Sequence, residues 1–124
     1  MNVVDSSGWL EYFADGPNAA SFAKPIQAIG SLIVPSLSLF EVFKRVMTQR
    51  GEDAALEAVA MMRQGRVIPL DDALALDAAR LSVEHRLPMA DSIILATAVA
   101  HRATLWTQDA DFENVQGVRY LPKA

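Results

Sequence analysis

The chain has 124 residues, of which 52% are hydrophobic, and it carries 11 basic and 15 acidic side chains for a net charge of −4. A chain of this length buries roughly two-thirds of its unfolded surface, so we expect a single domain over residues 1–124 that needs no disulfide. Because it has no cysteine, thiol nucleophiles, zinc fingers and iron–sulfur sites are excluded, and its acidity argues against binding nucleic acid by bulk charge alone.

Short apolar runs alternate with segments of helical periodicity along the chain. Strands are predicted at residues 2–5, 32–34, 67–70 and 103–107. Helices are predicted over residues 6–13 and 17–29, from Pro35 to about Gln49, and over 53–63, 72–86 and 89–102. The order β-α-α-β-α-α-β-α-α-β is typical of an α/β fold, here a three-layer α/β/α sandwich with a mostly parallel central sheet.

Four acidic residues follow predicted strands or begin the helices after them. Asp5 closes the first strand, Glu41 lies near the start of the helix after the second, Asp91 lies in the first turn after Pro88, and Asp109 follows the last strand. In a right-handed parallel α/β sheet, these positions share the edge where ligands bind. We therefore expect the four carboxylates to converge.

Converging carboxylates repel one another and raise each other's pKa values unless a cation neutralises them. Oxygen ligands without His or Cys select Mg²⁺ or Mn²⁺. Such a site is suited to metal-assisted hydrolysis of a phosphodiester, and the metal would let an acidic protein engage a polyanion.

Ordinary structural roles are open for each of these acids. Ser38 and Glu41 have the spacing of a helix capping box, and Glu41 is within reach of an ion pair with Lys44 or Arg45. Only the joint arrangement of the four acids favours chemistry over these alternatives.

The other three acids also have local alternatives. Asp5 could cap the following helix, and Asp91 could bind the backbone amides of its own first turn. The loop with Asp109 has ordinary turn chemistry, in which Asp111 could cap a short turn around Phe112.

Four segments in series carry a family resemblance. They are VVDSS at 3–7, VPSLSLFEV at 34–42, LPMADSIILATA at 87–98 and LWTQDADF at 105–112. In order, length and placement they resemble the PIN domain, and within it the VapC-type toxins of bacterial toxin–antitoxin pairs. Residues 51–86 match only in helical character.

The resemblance implies a Mg²⁺- or Mn²⁺-dependent endoribonuclease, often homodimeric and silenced by a cognate VapB-like antitoxin. Carried over to this sequence, the family's catalytic and metal-binding acids fall on Asp5, Glu41, Asp91 and Asp109. Ser6 and Thr107 fall on the supporting hydroxyl positions, and Asp111 is an additional acid. Ser92 and Leu95 depart from the alanines that are usual beside the third acid, which bears on packing there.

We therefore predict that Asp5, Glu41 and Asp91 ligate the principal metal, with Asp109 at a second metal or shaping the pocket, and that a metal-activated water attacks RNA. Lys44 and Arg45 are the predicted phosphate contacts.

The antitoxin is expected to cover an apolar groove near Trp9, Tyr12 and Phe13. The N-terminus does not resemble a secretory signal and no apolar run could span a bilayer, so a cytoplasmic protein without membrane contact is expected. The rival hypothesis is a non-catalytic Mg²⁺-binding α/β module that is regulatory or binds protein or RNA.

Overall fold

The structure is a computed structural model that describes residues 1–124. Its strands are β1 (Asn2–Val4), β2 (Leu32–Pro35), β3 (Arg66–Ile68), β4 (Thr104–Thr107) and β5 (Val118–Tyr120). Its helices are α1 (Ser6–Phe13), α2 (Ala19–Gln27), α3 (Ser36–Arg50), α4 (Glu52–Met62), α5 (Asp72–His85) and α6 (Met89–Ala100). Two short 3-10 turns, Ile29–Ser31 and Ala110–Phe112, complete the regular structure.

The five strands form one sheet in the order β3-β2-β1-β4-β5, and every neighbouring pair is parallel. This confirms the predicted α/β sandwich with a parallel sheet. Strand β5 was not among the predicted strands, since its three residues after the left-handed Gly117 (φ 83°) are too few to show a pattern. Predicted helix 17–29 is also shorter, because it gives way to a 3-10 turn at Ile29.

Alternation along the strands divides the interior into two apolar cores. Val4 and Val34 point to the side covered by α1 to α4, where they join Trp9 and Val42. Their strand neighbours Val3 and Ile33 point the other way, toward α6. Helices on both faces bury most residues of the three central strands β1, β2 and β4, which explains their continuous apolar runs in the sequence.

Helix α6 is the most buried helix, with seven of its 12 residues buried. It begins after Pro88, whose fixed φ suits the start of a helix, and it packs against the sheet through Ile94 and Leu95. Because α6 packs against the sheet and begins near the carboxyl ends of the strands, the carboxylate of Asp91 in the first turn of α6 lies beside those ends. No helix in the structure is long and apolar enough to cross a membrane.

Candidate metal centre

The site lies where the chain changes direction across the sheet. From β1 the chain builds outward to β2 and β3 on one side, and it then returns to place β4 and β5 on the other. A crevice therefore opens between the carboxyl ends of β1 and β4, which is the position where ligands bind in open α/β sheets. The register pairs Val4 with Trp106, so Asp5 and Thr107 follow side by side.

Asp5 is buried, with 3% of its surface exposed, and it is the N-cap of α1. Its Oδ2 atom accepts hydrogen bonds from Ser7 Oγ at 2.6 Å, from Thr107 Oγ1 at 2.9 Å and from the Ser7 amide at 3.4 Å. The capping role considered from the sequence is thus real, but it occupies only one carboxylate oxygen. Oδ1 has no hydrogen-bond partner in the protein and is not sealed from solvent, so it is free to face the crevice.

Glu41 lies beside Asp5 from the α3 side and accepts a hydrogen bond from Ser6 Oγ at 2.7 Å. The possible capping box does not form, because α3 begins two residues before Ser38, and the Ser38 hydroxyl is buried without a partner. Glu41 also forms no ion pair with Lys44 or Arg45. Its tether to α1 therefore positions it toward the site rather than toward its own helix.

The remaining acids form a compact group on the α6 side of the crevice. Ligand oxygens of Asp91, Asp109 and Asp111 all lie within 4.8 Å of one another. Asp109 caps the 3-10 turn by accepting a hydrogen bond from the Asp111 amide at 2.9 Å, so the cap considered for Asp111 belongs to Asp109 instead. Asp111, named from the sequence only as an additional acid, lies with Asp91 and Asp109 rather than at the margin.

Burial and mutual repulsion raise the pKa values of three of these carboxyls. Burial raises the pKa of Asp5 above its ordinary value although Ser7 and Thr107 oppose the shift, and burial likewise raises the pKa of Glu41. Burial, followed by the charges of Asp109 and Asp5, raises the pKa of Asp91 to about 8. Since the ion pairs of the protein, Arg80–Asp77 and His85–Glu84, lie elsewhere, no basic side chain neutralises the group.

These observations fit a hard divalent cation. The donors are all carboxylate oxygens, three of them are close enough to share an ion, and their negative charge has no internal counter-ion. Mg²⁺ and Mn²⁺ prefer this donor set, whereas zinc and copper select nitrogen and sulfur. The structure thus places Asp5, Glu41, Asp91, Asp109 and Asp111 around one crevice.

Cations line a groove that leads away from the acids. Lys44 and Arg45 are exposed on α3 and line this groove together with Glu41 and Ser6. The Lys44 ammonium lies 5.7 Å from the centre of the Phe40 ring. Both cations are therefore beside the acidic group but not bound to it.

Three residues near the site were not assigned a role there from the sequence. Ser7, rather than Ser6, is the hydroxyl that binds Asp5, while Ser6 binds Glu41. Asn18 and Gln108 form a side-chain hydrogen bond of 3.1 Å next to Asp109. The position of Gln108 between Thr107 and Asp109 was a signal in the sequence, but the contact with Asn18 depends on tertiary structure.

Comparisons with known proteins agree with this fold. A protein-family model described as PIN domain matches residues 3–118. A toxin–antitoxin complex from Klebsiella pneumoniae contains a chain that is 21% identical, with a TM-score of 0.84 and 100% of both chains covered.

The Mycobacterium tuberculosis toxin VapC20, which cleaves the sarcin–ricin loop, is 18% identical with a TM-score of 0.78 over 94% of this chain and 95% of its own. DNA-bound VapBC2 from Rickettsia felis is 14% identical with a TM-score of 0.76 over 98% and 97%. No curated protein sequence matches this chain.

Proposed function

This chain belongs to the PIN domain family, and from that premise we propose that it is a VapC-type toxin, a Mg²⁺- or Mn²⁺-dependent endoribonuclease controlled by a VapB-like antitoxin. The observation that carries the proposal is the convergence of five carboxylates at the β1/β4 crevice without a basic partner. A structural ion-pair network would supply its own cations, and this site has none.

Asp91, Asp109 and Asp111 hold the ion in this proposal, with Asp5 and Glu41 completing the site from the α1 and α3 side. When bound, a divalent ion lowers the pKa of a coordinated water and thereby supplies the nucleophile for phosphodiester hydrolysis. Burial and the neighbouring acids raise the pKa of Asp91 to about 8, and a divalent ion held by these carboxylates would favour their charged form.

The hydroxyls fix the carboxylates before any ligand arrives. Ser7 and Thr107 both donate to Oδ2 of Asp5, so they orient Oδ1 toward the crevice, and Ser6 does the same for Glu41 from one helix away. Such supporting contacts limit the rotation of ligand side chains and tune their charge. Preorganisation of this kind keeps the acids in place against their mutual repulsion.

RNA is the substrate that we propose, and it reaches the site by local contacts rather than by overall charge. Lys44 and Arg45 line the groove next to Glu41, which supports the proposal that they contact phosphates of the RNA beside the bond that is cut. The net charge of −4 argues against binding by bulk charge alone, so we expect cleavage to depend on the ion and on these few contacts.

The antitoxin is proposed to bind beside α1, and a homodimer in the cytoplasm is the expected form of the toxin. Trp9 is fully buried and stacks on Phe13 at 5.7 Å between ring centres, so Trp9 supports this surface rather than lining it. Phe13, Val46 and Met61 line a mostly apolar groove of about 140 Å³ between α1, α3 and α4, which could accept an apolar side chain of an antitoxin helix.

The decisive test is RNA cleavage by the purified, antitoxin-free protein in Mg²⁺ or Mn²⁺, compared with EDTA. We expect cleavage that EDTA abolishes and that Asp5→Asn and Asp91→Asn each remove. Asp53→Asn is the matched control, since this acid is exposed in the first turn of α4, outside the acidic group, and the variant should cleave normally. Cleavage that persists in EDTA would contradict the metal mechanism, and RNA binding without cleavage would favour the non-catalytic module.

A further inference from the structure

A second polar network lies next to the acidic group and has no part in holding it. Asn18 is the N-cap of α2, yet its side chain makes no capping hydrogen bond. Instead its Nδ2 donates to the Pro122 carbonyl at 2.9 Å and to Gln108 Oε1 at 3.1 Å. A residue type that normally caps a helix is here used to hold a glutamine.

The partners in this network determine which way each amide faces. A backbone carbonyl only accepts, so Asn18 must present its NH₂ group to Pro122. The second hydrogen of that group points to Gln108, which must therefore present its oxygen. Turning Asn18 over would bring its oxygen against the Pro122 carbonyl, and turning Gln108 over would bring its NH₂ group against that of Asn18. The amide nitrogen of Gln108 is therefore directed away from Asn18.

Gln108 Nε2 is consequently an unused donor. It makes no hydrogen bond in the protein, and it is not one of the sealed atoms without partners, which are Trp9 Nε1 and Ser38 Oγ. Gln108 lines a groove of about 320 Å³, a volume at the lower end of the roughly 300–1,000 Å³ of small-ligand sites. The cations Arg45, Arg50 and Lys123 line the same groove.

The backbone of Gln108 also forms a hydrogen bond with a residue of the acidic site. Its amide donates to Ser7 Oγ at 3.3 Å, and its neighbours Thr107 and Asp109 belong to the acidic crevice. Ser7, whose hydroxyl donates to Asp5, lines the same groove as Gln108, so the groove begins beside the acids. This adjacency offers a nucleotide bound at the acids a place for its base beside Gln108, with cations at the groove for the adjoining phosphate.

We propose that Gln108, oriented by Asn18, is the base-reading residue of a nucleotide subsite in this groove, and that it selects a keto base, guanine or uracil. The proposal rests on the proposed ribonuclease function. Guanine presents the acceptor O6, and uracil presents the acceptor O4, to which the Gln108 NH₂ group donates. Adenine and cytosine present amino donors at the corresponding positions. Single-stranded RNA exposes these edges.

The test is the base preference of cleavage in Mg²⁺ on a short single-stranded RNA pool with randomised positions, read by sequencing the products. For the wild-type chain we expect guanine and uracil to be favoured over adenine and cytosine by on the order of tenfold at one position next to the cut bond. Gln108→Met keeps the length of the side chain but has no donor, and it should lose this preference. Gln64→Met is the matched control, since Gln64 is exposed after α4, and this variant should retain the base preference.

Asn18→Ala tests the orientation directly and leaves Gln108 in place. Without the Asn18 NH₂ group nothing fixes Gln108 Oε1, so the amide can present either its nitrogen or its oxygen to the groove. We expect the preference for guanine and uracil to be lost. This variant also serves if Gln108→Met does not fold.

Three results would overturn the proposal, and they are distinguishable. If the wild-type chain cleaves RNA with no base preference, or if Gln108→Met and Asn18→Ala cleave with the wild-type preference, the subsite is wrong while the ribonuclease stands. If the wild-type chain cleaves no RNA of the pool, the ribonuclease and the subsite fail together.

Discussion

The two halves of the acidic crevice are built differently. In the half formed by β1, α1 and α3, Asp5 and Glu41 each accept hydrogen bonds from hydroxyl groups. In the half formed by α6 and the 3-10 turn, Asp91 receives no hydrogen bond from a neutral donor and faces Asp109 and Asp111. The protein itself therefore orients the first pair, whereas in the second group only Asp109 accepts a hydrogen bond from the protein, and Asp91 has only other acids beside it.

The residues next to each acid explain the difference. Ser6 and Ser7 follow Asp5 in the first turn of α1, where their hydroxyls reach across to carboxylates. Ser92 follows Asp91, but its hydroxyl donates to the Met89 carbonyl at 2.7 Å and satisfies its own helix. The difference arises because Asp5 precedes α1 as its N-cap, whereas Asp91 and Ser92 lie inside α6, where a serine hydroxyl bonds a carbonyl of the preceding turn.

The largest effect is expected from the half that lacks support. Asp91→Asn removes a proposed ligand with almost no change in shape, and we expect ribonuclease activity to fall by at least about 100-fold, beyond the range for residues that only support a ligand. Single-turnover cleavage in saturating Mg²⁺ measures it. The exposed Asp77→Asn serves as a control, because Asp77 pairs with Arg80 on α5. Activity within threefold of wild type would contradict a role for Asp91 in metal binding.

The supported half should respond less. Thr107→Val preserves shape but removes a hydroxyl that donates to Asp5 Oδ2 at 2.9 Å and accepts from the Asp109 amide. We expect activity to fall by about 10- to 100-fold, with a matching rise in the Mg²⁺ concentration needed for half-maximal rate. Thr104→Val lies at the other, exposed end of the same strand and should behave as wild type. Equal behaviour of the two variants would show that the hydroxyl is not needed.

Stability in EDTA should reveal the same contrast through its pH dependence. The pKa of Asp91 is about 8 in the folded chain and 3.8 as its ordinary value, so the folded state binds the proton more tightly. Stability is then greatest at low pH and is lost as pH rises through about 8. Asp91→Asn should therefore raise the free energy of unfolding at pH 8.5 by about 1 to 2 kcal/mol, discounted for the partial exposure of this side chain.

Urea denaturation of both proteins at pH 5 and pH 8.5 measures this effect. The difference between variant and wild type should shrink at pH 5, where Asp91 is protonated in the folded chain. Saturating Mg²⁺ should remove the advantage of the variant at pH 8.5, because the ion stabilises only the intact site. A variant that is less stable than wild type at pH 8.5 in EDTA would show that Asp91 is neutralised within the protein.

The sequence alone predicts the sandwich and the positions of the acids because both depend on regular patterns. Apolar runs and helical periodicity locate four of the five strands, and the acids follow them at the shared edge. The sequence pattern does not predict which residue each side chain contacts. Whether Ser6 or Ser7 contacts Asp5 depends on the angle of α1, and the contact of Asn18 with Gln108 joins segments 90 positions apart.

Glu41 shows most clearly what the sequence pattern alone cannot decide. The spacing of Ser38 and Glu41 equally fits a capping box, and only the start of α3 at Ser36 removes that alternative. Likewise, the grouping of Asp91, Asp109 and Asp111 depends on how the 3-10 turn folds back after β4. Local signals identify the acids, and tertiary geometry decides which of them lie close together.

The smallest effect is expected at the outer edge of the supported half. Ser6→Ala removes the one hydroxyl that binds Glu41, but Glu41 remains on α3, so we expect activity to fall only about threefold to tenfold. Ser92→Ala is the control, since it removes a hydroxyl of the same kind beside Asp91 that bonds only to a helix carbonyl, and activity should not change. If Ser92→Ala reduced activity more than Ser6→Ala, the half at α6 would depend on a hydroxyl after all, and the division of the crevice into a supported and an unsupported half would be wrong.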